Sequence, residues 1–380
     1  MLRLVKSKLC RARGASLVAA TGLGETLVSF LRRTLVVLIP IMAAMAASHG
    51  AEFKDPLEMP AAKVGNLASR PMIAVARAAS RLVAVGSRGV VIFSDDDGQT
   101  WVQAAVPVQS DLVAVHFPTA TKGWAVGHDG VVLHTRDAGS TWETQLDGRI
   151  AYKLFTDYFA DKQARGGQHQ SELAAVESNF GRGPFLPYLD VWFQNELSGY
   201  AVGSFGLLIA TTDGGKTWEP WFDRIDNEEM LNLNGVRGID GKIFITGEQG
   251  IVFRFDADSG RFLKSRTGYS GSLFGIIGSE TALVAYGLRG AIYVSRDSGV
   301  SWQAASAPSS VTINWGLFDT AAKEFLLVNG TGEIIVGDAT ASRFSVRQAW
   351  PGARLSGIAR TSDEQYVISS PSGVRLHSGR

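Results

Sequence analysis

Carboxylates are the side chains in this sequence whose spacing first suggests acid–base or metal chemistry. Adjacent acids occur at Glu228-Glu229 and in the run Asp95-Asp96-Asp97. Neighbouring residues on a strand point to opposite faces, so neither group could flank one glycosidic bond as the two acids of a glycosidase must. The aspartate run resembles the start of a calcium loop, but no Glu follows at the closing position. The histidines have no zinc-ligand spacing, and the sequence contains neither a P-loop nor a G-x-S-x-G elbow. We therefore expect no catalytic residue, no metal and no cofactor.

A further set of carboxylates belongs to a repeated motif, S/T-x-D-x-G-x-T/S-W, known as the Asp-box. In this motif the Asp side chain folds back onto nearby backbone N–H groups, and Gly takes a turn position with positive φ. The Trp begins the next strand as a buried apolar wedge whose N–H is paired. We predict structural roles for the residues of the four boxes, which are Asp96, Gly98, Trp101, Asp137, Gly139, Trp142, Asp213, Gly215, Trp218, Asp297, Gly299 and Trp302.

A second motif, the turn G-x-x-G, sets the period of the chain. Intact copies span residues 86–89, 127–130, 203–206, 247–250 and 287–290, and degenerate copies span 329–332 and 370–373. Five of the six intervals are 40 to 44 residues, which is the length of a four-stranded propeller blade. The remaining interval, 76 residues, is one period plus an insert. The sequence therefore predicts an all-β fold over residues 51–380, a seven-bladed β-propeller.

The insert covers residues 147–187, between blades 2 and 3, and its apolar residues have helical spacing. The first strand of each blade should lie at the axis of the ring. The turn between strands two and three is then on the same face of the ring as the link to the next blade. The G-x-x-G turns and the insert should therefore share one face, here called the turn face, with the Asp-boxes opposite. The insert either pads this face or docks a partner. The candidate partner-binding residues are Arg88, Phe205, Arg289, Tyr152, Phe155, Tyr158 and Phe159.

Both ends of the chain carry a prediction. Blade 7 has room for three strands before Arg380, so we predict that residues 57–67 supply its outer strand and close the ring. Residues 1–50 have a basic n-region, an apolar run at 34–47 and a small-residue cleavage pattern, as in a signal peptide. The alternative is a retained anchor, although the run is shorter than the roughly 20 residues of a membrane span. We expect a periplasmic protein.

Cleavage would also change the composition of the chain. It would remove Cys10, the single cysteine, together with seven of the 37 basic and one of the 36 acidic residues. The remaining 30 basic and 35 acidic residues give a formal net charge of −5. This balance argues against nucleic acid as a partner.

The chain resembles the photosystem II assembly factor family of BNR/Asp-box propellers. The Asp-boxes, the G-[WY]-A-V-G-x-x-G runs at residues 123–130 and 199–206, and the seven-fold period carry the resemblance, which covers essentially all of the chain after residue 50. It implies a non-enzymatic, lumenal or periplasmic propeller that helps to assemble membrane complexes. Non-photosynthetic members often lie beside genes for RND-type (MMPL) exporters, which implies a transporter accessory role. The family's arginine patch would fall on Arg88 and Arg289, whereas the helical insert departs from the family pattern.

Asp-boxes also occur in sialidases and other glycoside hydrolases. Those enzymes need an arginine triad, a Tyr/Glu nucleophile pair and an acid, and sialidases usually carry an F-R-I-P type motif before the first box, which this sequence lacks. We interpret the chain as a binding scaffold for a membrane-protein complex or transporter, with no small-molecule substrate. A glycoside hydrolase is the alternative.

Overall fold

The computed structural model describes residues 54–377, so the signal-peptide prediction for residues 1–50 lies outside the described part. Contacts divide the chain into residues 1–54 and a compact unit of residues 55–380. Among the described residues, no helix is long and apolar enough to cross a membrane.

Seven antiparallel sheets follow one another along this unit, and in each the strands pair in sequence order. Blade 1 contains β1 (Met72–Ala78), β2 (Arg81–Gly86), β3 (Val91–Ser94) and β4 (Val102–Gln103). Blade 2 contains β5 (Leu112–His116), β6 (Gly123–Gly127), β7 (Val132–Thr135) and β8 (Glu143–Leu146). Blade 3 contains β9 (Tyr188–Phe193), β10 (Gly199–Gly203), β11 (Leu208–Thr211) and β12 (Glu219–Pro220). Blade 4 contains β13 (Leu233–Ile239), β14 (Lys242–Gly247), β15 (Ile251–Asp256) and β16 (Arg261–Arg266).

The remaining blades complete the ring. Blade 5 contains β17 (Leu273–Gly278), β18 (Leu283–Gly287), β19 (Ile292–Ser295) and β20 (Gln303–Ala304). Blade 6 contains β21 (Ile313–Asp319), β22 (Glu324–Asn329), β23 (Glu333–Asp338) and β24 (Phe344–Ala349). Blade 7 contains β25 (Gly357–Arg360), β26 (Tyr366–Ser370) and β27 (Gly373–His377). The insert between blades 2 and 3 forms α1 (Gly148–Ala164) and α2 (Gln170–Phe180). The fold is therefore the predicted seven-bladed β-propeller with a helical insert.

The core lies between the blades. Alternating side chains of a strand point to the two faces of its sheet, so each blade packs on both neighbours. The buried apolar residues form seven clusters, one for each pair of adjacent blades, and the cluster between blades 2 and 3 also includes the insert. Each blade is consequently stabilised by its two neighbours, as in other repeat proteins.

Packing between blade 7 and blade 1 closes the ring. Val367 of β26 and Met72 of β1 belong to one buried cluster. The Ser369 hydroxyl donates a hydrogen bond to the carbonyl oxygen of Ile73 at 3.2 Å. The sheets of the two blades remain separate among the described residues.

The prediction that residues 57–67 form the fourth strand of blade 7 is wrong for the described structure. That blade has three strands among residues 54–377. The segment instead follows the outer side of blade 1, where the Ala61 N–H donates to the Val106 carbonyl at 2.9 Å. The side-chain amide of Gln103 also accepts from the Val64 N–H at 2.9 Å. These bonds hold residues 61–64 beside β4 of blade 1.

Candidate protein-binding face

The carboxylates of the four Asp-boxes are bonded within their own turns. In the first box Asp96 accepts from the backbone and the hydroxyl of Thr100, at 2.8 and 2.5 Å, and from the Ser94 hydroxyl at 2.7 Å. The boxes around Asp137, Asp213 and Asp297 repeat this pattern. The box glycines have φ between 79° and 90°, which favours glycine. These carboxylates therefore hold the corner between strands three and four of their blades.

The tryptophans of the boxes differ in their hydrogen bonding. Trp101 and Trp142 donate to a carbonyl of their own box at 3.1 and 3.0 Å, and Trp302 donates to a serine hydroxyl of the preceding blade at 3.1 Å. The Trp218 Nε1 is buried and has no partner among the described residues. The expectation that every box tryptophan has a paired N–H is therefore wrong for Trp218. Its ring packs edge-on against Phe193, with centroids 5.9 Å apart, inside an aromatic cluster.

Acid should weaken the boxes, because two of their pKa values are strongly lowered. Hydrogen bonds from Thr100, first its hydroxyl and then its backbone, lower the pKa of Asp96 to about 2. Ser301 acts in the same way on Asp297, whose pKa is also lowered to about 2. The ordinary value is 3.8, so this stabilisation is complete above about pH 4 and is lost as the pH falls towards 2.

We expect the melting temperature to fall steeply between pH 4 and pH 2, measured by circular dichroism. The Asp96→Asn, Asp297→Asn double variant removes both titrating groups, so its melting temperature should fall less over that range. An equal fall in the variant would contradict a stabilising role for the two carboxylates.

The remaining acidic groups named above also have structural partners. Asp95 forms an ion pair with Arg81 at 2.6 Å, and the backbone N–H of Ser362 in blade 7 donates to Asp97 at 2.8 Å. The pair at residues 228–229 lies in the loop after blade 3 and contacts one lysine ammonium at 3.4 and 3.0 Å. Within residues 54–377 there is no group of three or more His, Cys, Asp or Glu that could hold a metal ion. The described carboxylates named here thus serve turns and ion pairs.

The turn face carries the G-x-x-G turns and the insert, as the strand order predicts. The insert begins against the turn of blade 2, where a Cβ on Gly130 would lie 2.8 Å from the Gly148 nitrogen. The glycines of these turns are needed because the backbone entering the next inner strand passes close to them. A Cβ on Gly89, with φ +70°, would lie only 2.0 Å from the Val108 carbonyl oxygen. These close contacts fix where each turn lies on the face.

The middle residues of three turns project from the turn face. Arg88, Phe205 and Arg289 have φ of 57°, 52° and 56°, and their side chains are exposed. Their backbone N–H groups each donate to a polar side chain that precedes the next inner strand. The acceptors are Asp111 for Arg88 at 2.7 Å, Asn232 for Phe205 at 2.8 Å and Thr312 for Arg289 at 3.4 Å.

These three residues occupy equivalent places on blades 1, 3 and 5. They are therefore distributed around the turn face and are not gathered into one patch. Within residues 54–377, neither Arg88 nor Arg289 has a carboxylate within ion-pair distance. Both charges face solvent.

Two aromatic residues of the insert are not available to a partner. Phe155 and Phe159 of α1 are fully buried, and both rings contact Phe222 after blade 3, at centroid distances of 5.8 and 5.7 Å. The prediction that these two residues bind a partner is therefore wrong, and their rings hold the helices to the propeller. Tyr158 is partly buried beside the same cluster. Tyr152 stays at the surface, and its hydroxyl donates to Glu177 of α2 at 2.6 Å.

A groove of about 390 Å³ separates α2 from the turn of blade 3. Phe205 forms one wall, Asn179 and Glu172 of α2 form the other, and Phe222 and Met230 come from the loop that leads to blade 4. Sequence reasoning missed the last two residues. The apolar pair of residues 221–222, directly after the third Asp-box, was the one available signal for them.

The loop beneath the groove is fixed by side chains. The side-chain amide of Asn227 is buried. It donates a hydrogen bond to the Leu231 carbonyl oxygen at 3.0 Å and accepts one from the Leu231 N–H at 3.1 Å. Lys162 of α1 pairs with Asp223 of the loop at 2.5 Å. The groove is therefore built between elements that are already tied together.

Side chains occupy the axis of the ring. The Arg237 guanidinium of blade 4 pairs with Asp190 of blade 3 and lies 4.9 Å from the Trp315 ring centre of blade 6. Blades 4 and 6 are not adjacent, so this contact crosses the central channel. Burial raises the pKa of Asp190, although the positive charge of Arg237 acts to lower it. Burial and the same charge lower the pKa of His116 to about 3, which leaves it neutral at ordinary pH.

The fold and these corners define a seven-bladed Asp-box propeller with one elaborated face. The chain belongs to the family described as photosynthesis system II assembly factor YCF48, whose family model matches residues 69–154 and 184–375. Most of the insert lies in the unmatched interval.

Curated relatives match parts of the chain. It is 24% identical over 198 residues to the photosystem II assembly lipoprotein Ycf48 of Synechococcus sp. (strain CC9902), covering 50% of this chain and 59% of the relative. It is 30% identical over 95 residues to the chloroplastic photosystem II stability/assembly factor HCF136 of Arabidopsis thaliana, covering 24% of this chain and 23% of the relative. The matches thus span less than two thirds of either relative.

Solved structures match most of the chain. The structure of YCF48 bound to D1 peptide has a TM-score of 0.59 at 17% identity, covering 84% of this chain and 99% of that chain. YCF48 from Cyanidioschyzon merolae has a TM-score of 0.57 at 15% identity, covering 81% of this chain and 95% of that chain. At these identities the similarity shows the fold.

Proposed function

We propose that this chain is a non-enzymatic periplasmic scaffold that assists the assembly or activity of a membrane-protein complex, and that its partner binds the turn face. The names of the family and of the curated relatives are those of assembly factors, which supports the assembly role. An RND-type (MMPL) exporter is our candidate partner, on the resemblance to non-photosynthetic members.

The observation that carries the choice of face is the exposed ring of Phe205. Its φ of 52° belongs to the G-x-x-G turn, because Arg88 and Arg289 have the same conformation in their own turns. The ring is 54% exposed, so this chain leaves much of it unpacked. Aromatic side chains are enriched at protein interfaces. The adjoining groove gives a bound segment a second wall.

The Asp-box face offers fewer groups to a partner protein than the turn face does, because its carboxylates are hydrogen-bonded within their own turns. The same observation bears on the glycoside hydrolase alternative. An acid catalyst needs a raised pKa, whereas hydrogen bonds lower those of Asp96 and Asp297 to about 2. A hydrolase would require other residues. Asp190 does have a raised pKa, but it is buried and paired with Arg237.

Phe205→Asn should reduce recovery of the partner at least tenfold while the ring remains folded. Asparagine tolerates a positive φ, so the turn is kept and only the aromatic ring is lost. The measurement is the amount of membrane protein that co-purifies with the tagged chain from detergent-solubilised envelope, quantified by mass spectrometry.

The matched control is Val300→Asn, which replaces an apolar side chain that is 63% exposed on the Asp-box face. It should leave recovery unchanged. Normal recovery with Phe205→Asn and loss with Val300→Asn would mean that the partner binds the opposite face. Turnover of a sialoside, with no membrane protein recovered in stoichiometric amount, would overturn the scaffold proposal.

A further inference from the structure

Blade 7 presents a recessed sheet edge. Blades 1 to 6 each have four strands, whereas blade 7 has three among the described residues, so β27 lies where the third strand of the other blades lies. A groove of about 440 Å³ follows this edge, between β27 and the loop that leaves blade 6. The ring of Trp350 forms its wall and meets His377 edge-on, with centroids 4.7 Å apart. The groove thus borders the open edge of β27 on the side of blade 6.

Neither the described chain nor a second copy suits this groove. Residues 61–64 are bonded to the outer side of blade 1, as shown above. Antiparallel pairing of β27 with a second β27 over its full length, Gly373–His377, would place two copies of the exposed central Arg375 opposite each other. Like charges on paired edge strands are destabilising, and natural edges use them to prevent such pairing. Among residues 54–377 and a second copy no occupant is found, and a segment of a different protein is the occupant that the described groove favours.

The two faces of β27 specify the chemistry of that segment. Leu376 lies opposite Val367, which packs towards blade 1, and Leu376 is 41% exposed. Arg375 lies opposite Ile368, which packs towards blade 6. None of the residues that line the groove is acidic, and among residues 54–377 no carboxylate lies within 4.0 Å of the Arg375 guanidinium.

We propose that the edge of β27 receives an extended segment of a partner protein as the fourth strand of blade 7. Because successive side chains of a strand point to opposite faces, the segment would alternate apolar residues beside Leu376 with acidic residues beside Arg375. Backbone hydrogen bonds would supply affinity and the alternating side chains specificity, as in other cases of strand addition. The groove reaches the turn face through Ser370 and Ser372 of the blade 7 turn, but it lies on blade 7 and does not involve Phe205 of blade 3.

The probe is a synthetic eight-residue peptide of alternating valine and glutamate, added to the full chain. We expect it to bind at least tenfold more tightly than the same peptide with lysine for glutamate, measured by fluorescence polarisation. It should also slow amide hydrogen exchange in Gly373–His377. A version with proline at a central valine should not bind, because proline cannot continue the ladder.

Arg375→Glu should reverse the preference between the glutamate and lysine peptides. The matched control is Arg266→Glu. Arg266 is exposed and lies on β16, the fourth strand of the complete blade 4, so this change should leave the peptide preference unaltered. Equal binding of all three peptides, or equal protection of β16, would overturn the proposal. So would β27 amides that exchange as slowly as those of β26 without peptide, since the edge would then be occupied by the chain itself.

Discussion

Trp218→Ala is expected to lower the free energy of unfolding by about 3–5 kcal/mol, the usual cost of removing a buried aromatic ring. Trp218 is 3% exposed, in the cluster that joins blade 2, blade 3 and the insert. Its neighbour Phe193 stacks on the fully buried Trp124, with centroids 3.5 Å apart. The vacated space is enclosed on these sides, so the surroundings cannot easily close it. Urea unfolding at neutral pH measures the loss.

Two further variants separate packing from hydrogen bonding at this position. The Trp218 N–H has no partner among the described residues, so Trp218→Phe should cost much less than Trp218→Ala. Trp101→Ala should also cost less than Trp218→Ala, because Trp101 is only partly buried. Unchanged stability of Trp218→Ala, together with loss of partner binding, would reverse our structural interpretation of the boxes.

The sequence predicted the ring well because two short motifs recur at fixed places in each blade. The Asp-box marks the corner between strands three and four, and G-x-x-G marks the turn between strands two and three. Together they give the number of blades and the face on which each turn lies. Both are local: the carboxylate of Asp213, for example, bonds only within its own turn. Such patterns can be read without knowing the rest of the fold.

The errors concern contacts between distant segments. Helical spacing groups Phe155 and Phe159 on one side of α1, but it does not say what covers that side. The cover comes from the cluster around Phe222, more than 60 residues further along the chain. The groove beside α2 was missed for the same reason. Burial of these rings also means that removing the insert would expose the core between blades 2 and 3.

The closing segment was misplaced by a similar limitation. An extended stretch before blade 1 fits the edge of blade 7 or of blade 1 equally well by pattern. The Gln103 side chain decides between them, because its amide both accepts from the Val64 N–H and donates to the Ala62 carbonyl, each at 2.9 Å. The backbone bond from Ala61 to Val106 and the packing of Leu57 hold the segment along the same blade.

Deleting residues 55–64 should consequently lower the free energy of unfolding by about 4 kcal/mol. Leu57 is 8% exposed and packs between blades 1 and 2, which contributes about 2 kcal/mol. The half-buried Val64 and the backbone bonds of Ala61 and Pro56 with blade 1 contribute about 2 kcal/mol more. Leu57→Ala alone should show about half of the loss, in the same urea measurement.

Hydrogen exchange locates the effect of this deletion. If the segment stabilises blade 1, the deletion should speed exchange in β4 and in the residues up to Val106, and leave residues 375–377 of β27 unchanged. If it were the outer strand of blade 7, the opposite pattern would appear. The deletion retains residues 67–69, which lie against the start of β27, where a Cβ on Gly373 would lie 1.9 Å from the Ala68 carbonyl oxygen. Val64 packs on the cluster that contains Val374, so the test applies to residues 375–377, and faster exchange there would contradict the placement of this segment beside blade 1.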